Sequence, residues 1–182
     1  MTAPAPVLVL GIGNELLGDD GVGVVAARRL APLLPPGVEV LDGSTLGLLL
    51  TPLLADRAAV LVLDAVSERH GPPGSIVLLR DAEIRRGHGM RATAHDVGLV
   101  DALSAVELMG RAPRHLALAG LVTEAPVCRF GLGPVARDRL PDVLGTACEV
   151  LRGWGVPGIR HRPGAKGSRP GALAPSGNAF EV

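Results

Sequence analysis

Three residues carry side chains whose types suit joint chemistry: Asp20, Asp64 and His95. Asp20 is the second of two adjacent acids reached through the run Val7-Leu8-Val9-Leu10-Gly11-Ile12-Gly13-Asn14. Asp64 closes the continuous apolar run Ala59-Val60-Leu61-Val62-Leu63, and His95 opens a helical pattern. Two carboxylates and one neutral imidazole form an oxygen-and-nitrogen donor set for a borderline divalent ion such as nickel or zinc. A histidine at a helix start feels the positive end of the dipole, which disfavours the imidazolium and leaves the imidazole free to bind metal. Three protein ligands leave coordination positions open for water, or for an ion that something else already holds.

Other readings of these stretches are weaker. A dinucleotide fingerprint needs Gly-x-Gly-x-x-Gly, and its third glycine slot holds Leu16. The acids Asp19 and Asp20 would also repel a pyrophosphate at the helix start. Helix capping accounts for one of these acids but hardly for both. His70, His88, His115 and His161 read as surface or capping residues. Cys128 and Cys148 are too few for a disulfide framework and read as two small reduced core residues, with Cys128 the remaining candidate for a catalytic thiol. Ser44 and Thr45 bear hydroxyls but no local base signature.

Positioning these groups requires strands and helices in alternation. Val7–Leu10 reads as a buried strand, Asp20–Leu34 as a helix ended by Pro35-Pro36-Gly37, and Val38–Leu41 as a short strand. After the turn at Asp42–Gly47, a weak helix covers Leu48–Leu54. The strand Ala59–Leu63 is apolar throughout, as burial on both faces demands. Ser75–Leu79 suits an edge strand, Arg80–Thr93 a polar loop, and Ala94 to about Met109 a helix. Arg114–Leu121 is the fifth strand, Thr123–Pro134 a long connection, and Val135–Leu151 the last helix. This alternation implies a three-layer α/β/α sandwich around a mostly parallel sheet. In such a sheet the carboxyl ends of the strands line one crevice, most open where neighbouring strands lead the chain in opposite directions. Residues 1–159 are expected to form one domain, and 160–182 a Pro/Gly-rich, disordered tail.

The chain has 182 residues, 47% of them hydrophobic and 20% charged, which gives one domain with a sizeable core. Aromatics are 2% and tyrosine is absent, so that core must be built from Leu, Val and Ala. Eighteen basic and eighteen acidic residues balance, which argues against nucleic acid or an anionic membrane as partner. No apolar run reaches membrane-spanning length and no basic stretch precedes the first one, so a cytoplasmic protein is expected.

Several motifs, taken together, resemble those of the hydrogenase maturation proteases, endopeptidases that trim the large subunit of nickel-iron hydrogenases. Gly11-Ile12-Gly13-Asn14 with Gly18-Asp19-Asp20-Gly21-Val22-Gly23 is similar to their opening motif, and Asp42-Gly43-Ser44-Thr45-Leu46-Gly47 to their second. Leu63-Asp64-Ala65, Thr93-Ala94-His95-Asp96-Val97-Gly98-Leu99 and Gly131-Leu132-Gly133-Pro134-Val135 follow in the family's order. Thr123 stands where the family often has proline. The resemblance implies a mixed five-stranded sheet of order 2-1-3-5-4 with strand 4 antiparallel. It implies that Asp20, Asp64 and His95, as catalytic and metal-contacting residues, meet nickel already inserted in a large-subunit precursor, from which a short C-terminal extension is removed. A monomer is expected, with no tightly bound cofactor of its own, because three ligands from separate segments leave an ion partly open. The same ligands would also serve a nickel-dependent chaperone that binds the precursor without cutting it.

Overall fold

A computed structural model describes residues 6–85 and 94–160, with side chains in the second segment described from residue 98. Five strands form one sheet: β1 (Val7–Ile12), β2 (Val38–Ser44), β3 (Ala59–Val66), β4 (Ile76–Arg80) and β5 (His115–Val122). Their order is β2-β1-β3-β5-β4, with β4 antiparallel to β5 and the other pairings parallel. The helices are α1 (Val22–Leu30), α2 (Thr51–Leu54), α3 (Ala82–Arg85), α4 (Ala94–Leu108) and α5 (Pro134–Gly153). The α/β sandwich and the strand order therefore agree with expectation.

Two apolar clusters cover the two faces of the sheet. On one, Val22, Ala26 and Leu30 of α1 and Leu140, Val143, Ala147 and Leu151 of α5 pack on Val9, Leu61 and Leu63. On the other, Leu54 of α2, Ile84 of α3 and Leu99, Leu103 and Val106 of α4 pack on Leu8, Leu10, Val60 and Val62. Every residue of β3 is buried, which is why its sequence is almost unbroken apolar. Helix α1 lies directly over the seam between β1 and β3. A Cβ on Gly23 would fall 2.1 Å from the carbonyl oxygen of Leu63 and 2.4 Å from that of Ile12, so only glycine permits this approach. No helix among the described residues is long and apolar enough to cross a membrane.

Several boundaries differ from expectation. Strand β2 runs on to Ser44, because Gly11 and Ile12 of β1 pair with Asp42 and Ser44. Asp64 does not end β3: the strand continues through Ala65 and Val66, which pair with Leu121 and Val122. Part of the stretch expected as a loop after Arg80 is the short helix α3, whose Ile84 is buried in the core. Cys148 is a core residue, but Cys128 is exposed in the connection before α5. The chain after α5 turns back onto the domain: Val156 is buried, Ile159 packs on the α1–α5 cluster, and the Arg160 amide donates to the Leu33 carbonyl at 2.9 Å. The proposed tail beyond Arg160 lies outside the described residues, as do His88 and His161. His115 is at the surface and His70 half-buried.

Candidate active site

The strand order creates a switch point. From β1 the chain steps outward to β2, then returns past β1 to β3 on its other side. The crevice opens at the carboxyl ends of β1 and β3, and both candidate carboxylates stand there. Leu63 is the register partner of Gly11, so Asp64 lies one residue further, beside the end of β1. Strand alternation turns it towards the sheet face of Val62 and Val66, the face covered by α4.

Asp20 reaches the same edge through a loop that folds back on β1. Gly13 has φ +121°, a left-handed conformation, and a Cβ there would sit 2.0 Å from the Asp20 carbonyl oxygen. Asn14 then builds the turn, its side-chain carbonyl accepting the Leu16 amide at 3.0 Å. The Asn14 amide donates to Asp20 Oδ2 at 2.9 Å, which fixes this carboxylate against the strand end. Asp64 Oδ1 accepts the Ala65 amide at 2.7 Å. Asp20 and Asp64 are each only 1% exposed. Burying two carboxylates at one strand edge is costly unless hydrogen bonds or a cation compensate.

The capping reading of the acid pair does not hold. Neither the 3-10 turn Gly18–Gly21 nor α1 has a side-chain cap. Asp19 instead points away from α1 and accepts the Gly133 amide at 2.5 Å and Arg129 Nη2 at 3.3 Å. The Arg129 amide donates to the Leu16 carbonyl, and the Gly18 amide to the Arg129 carbonyl. These bonds fasten the loop bearing Asp20 to the connection between β5 and α5. Sequence reasoning missed this clamp; its only signal was the second acid that capping left unexplained.

His95 belongs to the first turn of α4, as expected, but its side chain lies outside the described residues. The helix start has a definite place. Gly98, one turn on, lies against Gly47 in the turn after β2, so closely that a Cβ would meet Gly47 Cα at 2.2 Å. That turn follows the carboxyl end of β2, the strand next to β1, so α4 starts at the sheet edge where Asp20 and Asp64 stand. Among the described residues no three His, Cys, Asp or Glu side chains gather as a metal site.

Nearby hydroxyl chemistry is weak. Ser44 Oγ donates to Asp42 Oδ1 at 2.7 Å, and Arg28 Nη2 to Asp42 Oδ2 at 2.7 Å. Burial pushes the Asp42 carboxyl up, but the bonds from Ser44 and Arg28 outweigh it and hold the group below its ordinary range. A carboxylate so stabilised is a poor base for Ser44.

The profile of the hydrogenase maturation protease family matches residues 24–150. The chain belongs to that family. The hydrogenase 2 maturation protease of Escherichia coli K12 is 36% identical over 155 residues, covering 84% of this chain and 94% of that protein. The hydrogenase expression/formation protein HupD of Bradyrhizobium diazoefficiens is 39% identical over 158 residues, 82% of this chain and 80% of its own. Among solved structures, the hydrogenase maturating endopeptidase HybD from E. coli superposes with a TM-score of 0.77 at 34% identity, covering 82% of this chain and 93% of its own. This maturation protease is an endopeptidase.

Proposed function

We propose that this protease removes a short C-terminal extension from the nickel-loaded large-subunit precursor of a nickel-iron hydrogenase, and that Asp20, Asp64 and His95 read the nickel. The observation that supports this most is the pair of carboxylates, each 1% exposed, at the carboxyl ends of the two strands flanking the switch point. Nickel is part of the substrate: it arrives in the precursor with coordination positions still open, and the three side chains occupy them. Recognition thereby tests that the metal is in place before the chain is cut. Hydrolysis then adds water to the scissile carbonyl carbon, breaks the C–N bond and hands a proton to the departing amine. Either the ion would assist the water as a Lewis acid, or one Asp would act as its general base. The enzyme holds no resident cofactor in this reading, and works as a monomer in the cytoplasm.

The test is incubation with nickel-loaded and nickel-free precursor, followed by intact mass. Loss of the extension from the loaded form alone is expected. Asp20→Asn, Asp64→Asn and His95→Ala should each reduce that cleavage at least about a hundredfold while leaving the melting temperature near wild type. Normal cleavage by any two of them removes the assignment.

A further inference from the structure

We propose that the cavity beside the Asp19 clamp is a subsite that takes one apolar side chain of the precursor segment being cut, an inference that rests on the reading above. The cavity measures about 150 Å³ and lies between the end of β5 and the start of α5, its walls including Asp19, Glu124, Ala125, Val127, Arg129 and Val135. An engineered apolar cavity of about this volume holds benzene, so the space matches one branched or ring side chain. Of its three charged walls, Arg129 Nη2 lies 3.3 Å from Asp19 Oδ1 and Glu124 is exposed. A neutral apolar group therefore leaves the Asp19–Arg129 pair intact and the exposed Glu124 carboxylate in water.

The rim points to a polypeptide. Val127 and Val135, both in the lining, are 53% and 51% exposed. Large apolar side chains gathered in water around a cavity mark a contact surface. The occupant follows from continuity with the active site. Asp19 walls the cavity and Asp20, the next residue, serves the crevice, so the 3-10 turn Gly18–Gly21 separates the two. An extended chain advances about 3.3 Å per residue, so one segment crossing this turn engages both within a few residues. A second copy of the protease seated here would cover the mouth that the substrate must enter.

Val135→Trp and Ala125→Phe each fill the cavity from an exposed position, so the fold should survive, as melting will verify. With nickel-loaded precursor, each should raise KM at least about tenfold and leave kcat within about twofold. Leu108→Trp, at the far end of α4 and 91% exposed, should change neither. An unchanged KM in both cavity variants overturns the proposal, and so does a fall in kcat at constant KM. A concentration-dependent dimer of the wild type that Val135→Trp abolishes also overturns it, by giving the face to a second copy. If wild-type protease cuts nickel-free precursor equally well, nickel reading fails, yet the KM comparison still decides the subsite.

Discussion

At the scale of single residues, charge is placed with two purposes in this molecule. Asp20 and Asp64 are buried at the carboxyl ends of β1 and β3, where the proposed substrate ion would meet them. Asp42 instead serves the scaffold, joining the end of β2 to α1 through Arg28, which also pairs with Glu15 at 2.8 Å. The Asp42 carboxyl is held below its ordinary value of 3.8. Its contacts therefore stabilise the fold fully above that value, and the contribution disappears as pH falls through the lower native one. Asp42→Asn removes this titration. Urea unfolding between about pH 5 and about pH 2 should show a shallower acid decline in the variant than in the wild type. Arg28 is more than half exposed, so solvent screening keeps the difference to about 0.2–1 kcal/mol. Both candidate carboxylates were legible in the sequence, Asp64 as an acid closing an apolar run and Asp20 as one of two adjacent acids in the turn after the first strand. Asp19 was not, since its partners lie 110 and 114 residues further along the chain and no local pattern encodes such pairings.

Among the elements, the loop between β1 and α1 depends on the connection before α5. Gly133 has an ordinary extended backbone, so alanine is conformationally allowed there. Its Cβ, however, would fall 2.7 Å from Arg129 Nη2 and within 3.2 Å of both Asp19 carboxylate oxygens. Gly133→Ala should thus push Asp19 off its partner and shift its neighbour Asp20. The ion pair is partly exposed, so the melting temperature should drop by less than about 4 °C. Precursor cleavage should fall by at least about tenfold, because sub-ångström placement governs the reacting groups. A parallel loss of both, or of neither, would show that the clamp does not position Asp20. Element types came readily from the sequence: the unbroken apolar run of β3 and the Pro-Pro-Gly stop after α1 leave few alternatives. Element ends were harder. Asp42 and Asp64 interrupt apolar patterns, yet main-chain pairing carries both strands past them, since the ladder uses backbone groups that every residue has.

For the molecule as a whole, the described fold ends later than its last helix. Val156 is 8% exposed, and Ile159 packs on the same cluster as α5. Removing residues 161–182 should leave melting and precursor cleavage within error of the full chain. Ending the chain at Gly155 should cost about 2–4 kcal/mol, since one apolar side chain is unburied and a second loses its packing. Differential scanning calorimetry on both truncations checks this, and a large loss from the shorter deletion would place residues beyond Arg160 in the domain. The sheet order was legible only through family resemblance. Alternation of strands and helices implies a parallel sheet but does not say which strands are neighbours, nor that β4 runs against the rest.

The full enclosure of β3 has a kinetic consequence. Its amides are bonded between β1 and β5 and sealed under helices on both faces, so they exchange with solvent only when the whole molecule opens. Asp64 hangs from that strand. Asp20 hangs from a loop outside the sheet, fastened to the end of β1 and to the connection before α5 by separate hydrogen bonds. In the proposed reaction the precursor would therefore meet one carboxylate carried on the most enclosed strand and another carried on a loop held by the β5–α5 connection.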